Sequence, residues 1–224
     1  MDDVSPIAVR PPRRDELRAG ARLLARSLGF AQEDAIPAWL MRVTNDCGGL
    51  TLVALDGERV VGISHAFPDL SRPDRGLYSC GLAVDPAHRG LGIARALKLE
   101  QRRRARQAGF RFIRWTADPR NARALRLYLS GLGARLTGYH ADLHAGLRAA
   151  AGPTDDVDIV WALATAGGRP HGETRWVALG DAGELPRIRR AMSELLADGF
   201  IGVDVATGGV GGARQVAFRR CDGA

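Results

Sequence analysis

The sequence predicts a mixed fold of the α/β (α+β) type, in which a mostly antiparallel sheet is flanked by helices and followed by a small C-terminal α/β extension. Three stretches carry that prediction. Thr51-Leu52-Val53-Ala54-Leu55 and Arg59-Val60-Val61-Gly62-Ile63-Ser64 flank Asp56-Gly57, the strongest local hairpin signal in the chain. Leu77 to Val84 is extended in character, Asp85-Pro86 breaks it, and the turn His88-Arg89-Gly90-Leu91-Gly92 opens a helical pattern that lasts to Gln107. After Gly109, Phe110-Arg111-Phe112-Ile113-Arg114-Trp115-Thr116 reads as another strand. Strand, crossover helix and parallel strand then make a right-handed unit, with the glycine turn at the carboxyl end of the earlier strand.

The remaining elements follow in order. Ile7 to Arg10 reads as a first strand, and Leu17, Ala21, Leu24 and Leu28 after Pro11-Pro12 mark an amphipathic helix. A second helix covers Glu33 to Val43. The hairpin supplies strands two and three, with His65 just beyond them, and Phe67 to Gly76 is a loop by composition. Asp118-Pro119 ends the fifth strand, Asn121 can cap the next helix, and Gly131-Leu132-Gly133 stops it. Arg135 to Leu143 and Val157 to Leu163 read as strands six and seven around an acidic, small-residue linker at Ala149 to Asp156. Thr165 to Gly172 is the sharpest composition break and divides residues 1–166 from an extension at 167–224. That extension shows a helix from Glu184 to Ala197 and strands at Phe200 to Val205 and Gln215 to Phe218. It is too short to bury a core alone, so it packs on the main sheet or on a second copy as a homodimer.

The glycine turn holds the chemistry. Gly90 and Gly92 with the small Ala94 remove side chains where a helix begins, so unpaired N–H groups can face an anion such as a pyrophosphate. Arg95, Lys98, Arg102 and Arg106 follow at helical spacing as a basic face. No Gly-Lys-Ser/Thr follows, which excludes a P-loop, and two glycines do not make the dinucleotide fingerprint. A tight strand-to-helix connection with solvated arginines is the plainer alternative.

Val84-Asp85-Pro86 followed by Arg89-Gly90-Leu91-Gly92-Ile93-Ala94 resembles the Arg/Gln-x-x-Gly-x-Gly/Ala motif of the GNAT superfamily of acyl-CoA-dependent N-acyltransferases. Asn121, Ala124, Tyr128 and Gly133 resemble the helix after that superfamily's fifth strand. Leu97-Lys98-Leu99-Glu100-Gln101-Arg102, Trp115-Thr116-Ala117-Asp118-Pro119 and Leu132-Gly133 look like a branch of predicted acyltransferases linked with N-succinylamino acid racemases. The resemblance implies a GNAT-like catalytic domain over residues 1–166 and an acyl-CoA, acetyl or succinyl, as cosubstrate. It implies cofactor contacts at Leu82, Ala83, Val84, Arg89, Gly90, Leu91, Gly92, Ile93, Ala94 and Asn121. The acceptor it implies is a primary amine on a small molecule such as an amino acid. Transfer to a protein amine and a non-catalytic acyl-CoA-binding module are the alternatives. Tyr128 matches the tyrosine that protonates the departing CoA thiolate, and packing is its other reading.

Other candidates come from position. Tyr78 and Cys80 lie on one side of the central strand by alternation, with Ser79 on the other, and either side can face the reaction. Arg114 and Arg120 flank the carboxyl end of the fifth strand, where an arginine fork could hold a substrate carboxylate. Asp118 is a candidate base for the amine or a cap of the following turn. Cys80 lacks the neighbouring base that a nucleophile requires, and His65 reads as a hydrogen-bonded strand residue.

The net charge of +7 rests on thirty-one arginines and the single Lys98, among few aromatics for base stacking, so a nucleic-acid partner is not expected. Three cysteines form no paired framework, scattered histidines suggest no metal site, and no apolar run approaches a membrane span. A cytoplasmic enzyme is the expectation.

Overall fold

A computed structural model of the chain describes residues 7–28, 34–145, 154–163, 169–180, 182–208 and 212–221. These fall into two compact units, one ending at Ile113 and the other beginning at Arg114.

In the first unit, strands β1 (Ala8–Arg10), β2 (Leu50–Asp56), β3 (Arg59–Asp69) and β4 (Gly76–Val84) lie side by side in that order. Every pairing among them is antiparallel. The predicted hairpin forms between β2 and β3, with Gly57 at φ 57 in the left-handed region that Asp-Gly turns require. Alternation then gives each face of the sheet its own core. Val53, Leu55, Ile63 and Ala83 pack with Leu17, Leu23 and Leu24 of α1 (Arg14–Leu28) and Met41 of α2 (Ala38–Asp46). Leu52, Ala54 and Val61 pack with Ile93 and Leu97 of α3 (Ile93–Gln107). Helix α1 starts after Pro11-Pro12 because Glu16 reaches back to the Arg13 N–H at 2.6 Å, while Arg10 grips the same carboxylate at 2.7 Å.

The start of α2, the end of β3 and the register of β4 differ from the sequence reading. Helix α2 begins at Ala38 rather than at Glu33, which lies outside the described residues. Strand β3 continues to Asp69, so His65 is inside it and the loop is confined to residues 70–75. The Phe67 and Tyr78 rings, 5.3 Å apart, extend the ladder past the point where Pro68 suggested a loop. The register between β3 and β4 also slips between His65 and Phe67: Gly81 opposes His65 and Tyr78 opposes Phe67. Ser79 and Cys80 therefore stand against the single Ala66, and this bulge breaks the alternation expected across Tyr78 and Cys80.

In the second unit the strand order is β5 (Phe112–Ala117), β7 (Asp156–Ala162), β6 (Arg135–His140), β9 (Phe200–Thr207), β10 (Arg214–Cys221) and β8 (Pro170–Ala178). The C-terminal strands join the sheet of β6 and β7, with Leu136 opposite Gly202. Helix α5 (Leu185–Ala197) buries Leu185, Ile188 and Met192. Residues 170–172, read as part of the composition break, open strand β8. That strand is last in the order, where a proline's missing N–H is tolerated, and a register shift in its pairing with β10 leaves room for Gly172 at φ 76.

The acidic linker needs a similar correction. Asp155 and Asp156 are both 2 % exposed. Asp155 is held by Arg189 of α5 at 2.7 Å and 2.9 Å, by the Tyr139 phenol at 2.5 Å and by the Asp142 N–H at 3.1 Å. An aspartate 34 residues before its arginine looks like a solvated linker until the fold pairs them.

Candidate active site

The glycine turn is built as an anion cradle. Gly90 (φ 90) and Gly92 (φ 77) are left-handed, and a Cβ added to either would meet nothing within 4 Å. Gly92 is the N-cap of α3 and offers the helix no side-chain cap. Among the described residues no backbone or side-chain acceptor closes the N–H groups from Gly90 to Arg95, and the first backbone bond into the helix is Ala96 N–H to the Gly92 carbonyl at 3.0 Å. A run of open donors at a helix start, with its positive dipole end, suits a pyrophosphate. Leu91 is 65 % exposed on the same turn. Asp85 steadies the approach by accepting from Ala87 N–H at 3.0 Å and from Arg59 at 2.8 Å.

Strand β4 supplies a second feature. The Asp85 N–H donates to the Val61 carbonyl at 2.8 Å in the register that pairs Ala83 with Ile63. Antiparallel bonding alternates, so Leu82 and Val84 turn their N–H and C=O groups to the other edge of β4. Ala83 does not, because its backbone faces β3 and its methyl lies in the α1 core.

The basic face expected on α3 is interrupted. Arg95 and Arg106 are exposed, but Lys98 is 1 % exposed. Its Nζ donates to Ser79 Oγ at 2.9 Å and to Gln101 Oε1 at 3.3 Å, joining α3 to the β4 bulge. Burial lowers its pKa to about 7. Cys80, in the same bulge, donates from Sγ to the His65 carbonyl at 3.6 Å, and burial raises its thiol to about 11. Such a thiol carries little thiolate at neutral pH and is a poor nucleophile. Tyr78 stacks on Phe67.

In the second unit, Asn121 caps α4 (Ala122–Arg126) by accepting from Ala124 N–H at 3.0 Å. The helix then widens into a π-turn at Leu127–Gly131 before Gly133 (φ 72). Tyr128 lies in that turn, its ring edge-on to Trp115 at 5.0 Å, and Trp115 is edge-on to Trp161 at 6.4 Å. Among the described residues its phenol has no hydrogen-bond partner. Burial raises its pKa to about 12. Asp118 accepts from Arg120 N–H at 2.8 Å and holds its guanidinium at 2.8 Å and 2.9 Å, so the candidate base and the candidate carboxylate clamp hold each other. Arg114 is half-buried on β5.

The sequence that carries the turn is matched by a family model. Residues 12–134 match the acetyltransferase (GNAT) family. The chain belongs to the GNAT family of acetyltransferases. It is thus an acyl-CoA-dependent N-acyltransferase, as the family's defining turn at Arg89 to Ala94 led one to expect. Solved structures share the fold at low identity. A putative acetyltransferase, yncA, from Salmonella typhimurium with its cofactor acetyl-CoA has a TM-score of 0.61 at 17 % identity, covering 72 % of this chain and 96 % of its own. The ribosomal-protein-S18-alanine N-acetyltransferase from Escherichia coli has a TM-score of 0.57 at 15 % identity, covering 75 % and 100 %. The IAA acetyltransferase from Bacillus cereus ATCC 14579 has a TM-score of 0.55 at 16 % identity, covering 70 % and 99 %. No curated protein matches the sequence. Among the described residues, no helix is long and apolar enough to cross a membrane.

The sequence reading missed the burial of Lys98 and the hub at Asp155. The solitary lysine among thirty-one arginines was the available signal for the first.

Proposed function

We propose that the protein transfers an acyl group, acetyl or succinyl, from acyl-CoA to the primary amine of a small molecule, by direct attack on the thioester. The row of open N–H groups from Gly90 to Arg95 carries this reading, since it fits the pyrophosphate that every acyl-CoA presents. Arg89 and the backbone through Ala94 hold that group, and the outward backbone groups of Leu82 and Val84 bind the pantetheine in strand-like fashion. Asn121, through its capped helix start, supports the same ligand.

The amine nitrogen attacks the thioester carbon, the C–S bond breaks, and the thiolate takes the proton of the Tyr128 phenol. The nitrogen releases a proton to water, and Tyr128 regains one from the same source. A phenol pushed to about 12 remains protonated at neutral pH and is ready to donate. Asp118 and Arg120 act as one unit, in which the carboxylate fixes the guanidinium, whose free edge can meet an acceptor carboxylate. Arg114 and the Tyr78–Cys80 segment remain proposed acceptor contacts. The unpaired cysteines suit a reducing cytosol.

The test is turnover. The protein is mixed with acetyl-CoA or succinyl-CoA and a panel of amino acids, their amides, simple amines and peptides with free amino termini, and free thiol is followed. Release with small amines supports the reading. Release with peptides alone moves the acceptor to a protein amine, the class of acceptor named for the ribosomal-protein-S18-alanine N-acetyltransferase from Escherichia coli.

A further inference from the structure

His65 lies inside β3 with 2 % of its surface exposed, and three elements fix its ring. Thr51 of β2 gives its one hydroxyl proton to Asn45 Oδ1 of α2 at 2.9 Å. The same oxygen lies 2.8 Å from His65 Nδ1, so there it can only accept. The imidazole therefore carries its proton on Nδ1 and a lone pair on Nε2. Among the described residues Nε2 has no hydrogen-bond partner, yet it is not one of the side-chain atoms sealed from the surface without one. Burial lowers the pKa of the ring to about 4, which keeps it neutral.

The surroundings mark this atom as more than a packed core nitrogen. Strand β3 is regular against β2 from His65 to Ala66, so His65 and Phe67 share a face. Phe67 is 40 % exposed and stacks on Tyr78. Directly across from His65 is Gly81, next to the bulge of β4. The face is also that of α1 and α2, since a Cβ on Gly81 would stand 2.7 Å from Leu24. A neutral acceptor held in one tautomer by a three-residue chain can serve only a ligand that donates.

We propose that His65 Nε2 receives an N–H of the amine that is acylated and so positions its nitrogen. This deepens the amine-transfer reading and rests on it. The side chain orients rather than abstracts: a ring with so low a pKa takes a hydrogen bond from the amine and leaves the proton to water. Asn45 and Thr51 act through it.

The decisive measurement is the imidazole nitrogen spectrum of the histidine-labelled protein in the presence of CoA. His65 Nε2 should appear unprotonated at neutral pH and shift when propylamine is added, but not with trimethylpropylammonium, which has no N–H. No shift, an equal shift with both, or a proton on Nε2 overturns the proposal. In parallel, His65→Leu should lower kcat/KM for propylamine by about tenfold, a loss typical of one hydrogen bond, with acetyl-CoA affinity unchanged. His65→Gln, which returns an acceptor to that position, should recover most of it. If the wild-type protein releases no thiol with any amine, the transfer reading fails, and the nitrogen spectrum still decides whether Nε2 binds an N–H.

Discussion

Arg120 closes its guanidinium on Asp118, with Nε 2.9 Å from one carboxylate oxygen and Nη2 2.8 Å from the other. The bond to Asp118 raises the Arg120 pKa. Both residues are about a third exposed, so solvent screens the pair, and its worth in stability is about 0.5–1 kcal/mol. Asp118→Asn should lower the unfolding free energy read from urea titration by that amount. Arg120→Lys, which keeps the charge and loses the fork, should cost as much. The double variant should show coupling, and independent effects would mean that the pair is incidental.

The phosphate turn gives a sharper prediction. Gly92→Val places a branched side chain at φ 77, costing about 1–2 kcal/mol in backbone strain, and points it where the anion approaches. Gly109→Val at φ 79 carries the same strain just past the opposite end of α3. Calorimetry should show CoA affinity reduced at least about tenfold in the first variant and unchanged in the second, with similar losses in Tm. Equal affinity in both would remove the turn from the binding site.

How much of this was legible follows from the range over which each signal acts. Asp56-Gly57, Gly90, Gly92 and the Asn121 cap are local devices, and each stands where the sequence put it. The β4 bulge, the burial of Lys98 and the clasp of Arg189 on Asp155 depend on partners 19 and 34 residues away, or on the neighbouring strand. Periodicity placed Lys98 on a basic stripe because spacing records the face of a helix and not what lies beneath it. Asp118 caps the following turn as its sequence position allows, but the grip of its carboxylate on the Arg120 guanidinium is set by side-chain rotamers that spacing does not record.

Tyr128 offers a prediction with two readouts. Tyr128→Phe keeps the edge-on contact with Trp115 and removes only the hydroxyl. Turnover should fall by about ten- to a thousandfold with CoA affinity unchanged. The folded protein also holds this proton more tightly than the unfolded chain, whose phenols ionise near the ordinary value of 10.0. Stability should therefore decline as pH rises from about 10 toward about 12, where the folded phenol itself ionises. The phenylalanine variant should flatten that decline in urea titrations, and normal turnover in it would leave the tyrosine a packing residue.

Lys98 should act with the opposite sign over an adjoining range. Its pKa falls from the ordinary value of 10.5 to about 7 because burial penalises the ammonium more than Ser79 and Gln101 can offset. Between those values the unfolded chain binds the proton and the folded one does not. Stability should then rise from about pH 7 toward about pH 10. Lys98→Met matches the stem and discards the amine, so its urea midpoint should lack this rise, and it should exceed the wild type below neutral pH, where the ammonium must be buried. A wild-type curve that is flat between neutral pH and about 10 would show that the amine keeps its ordinary pKa in the fold.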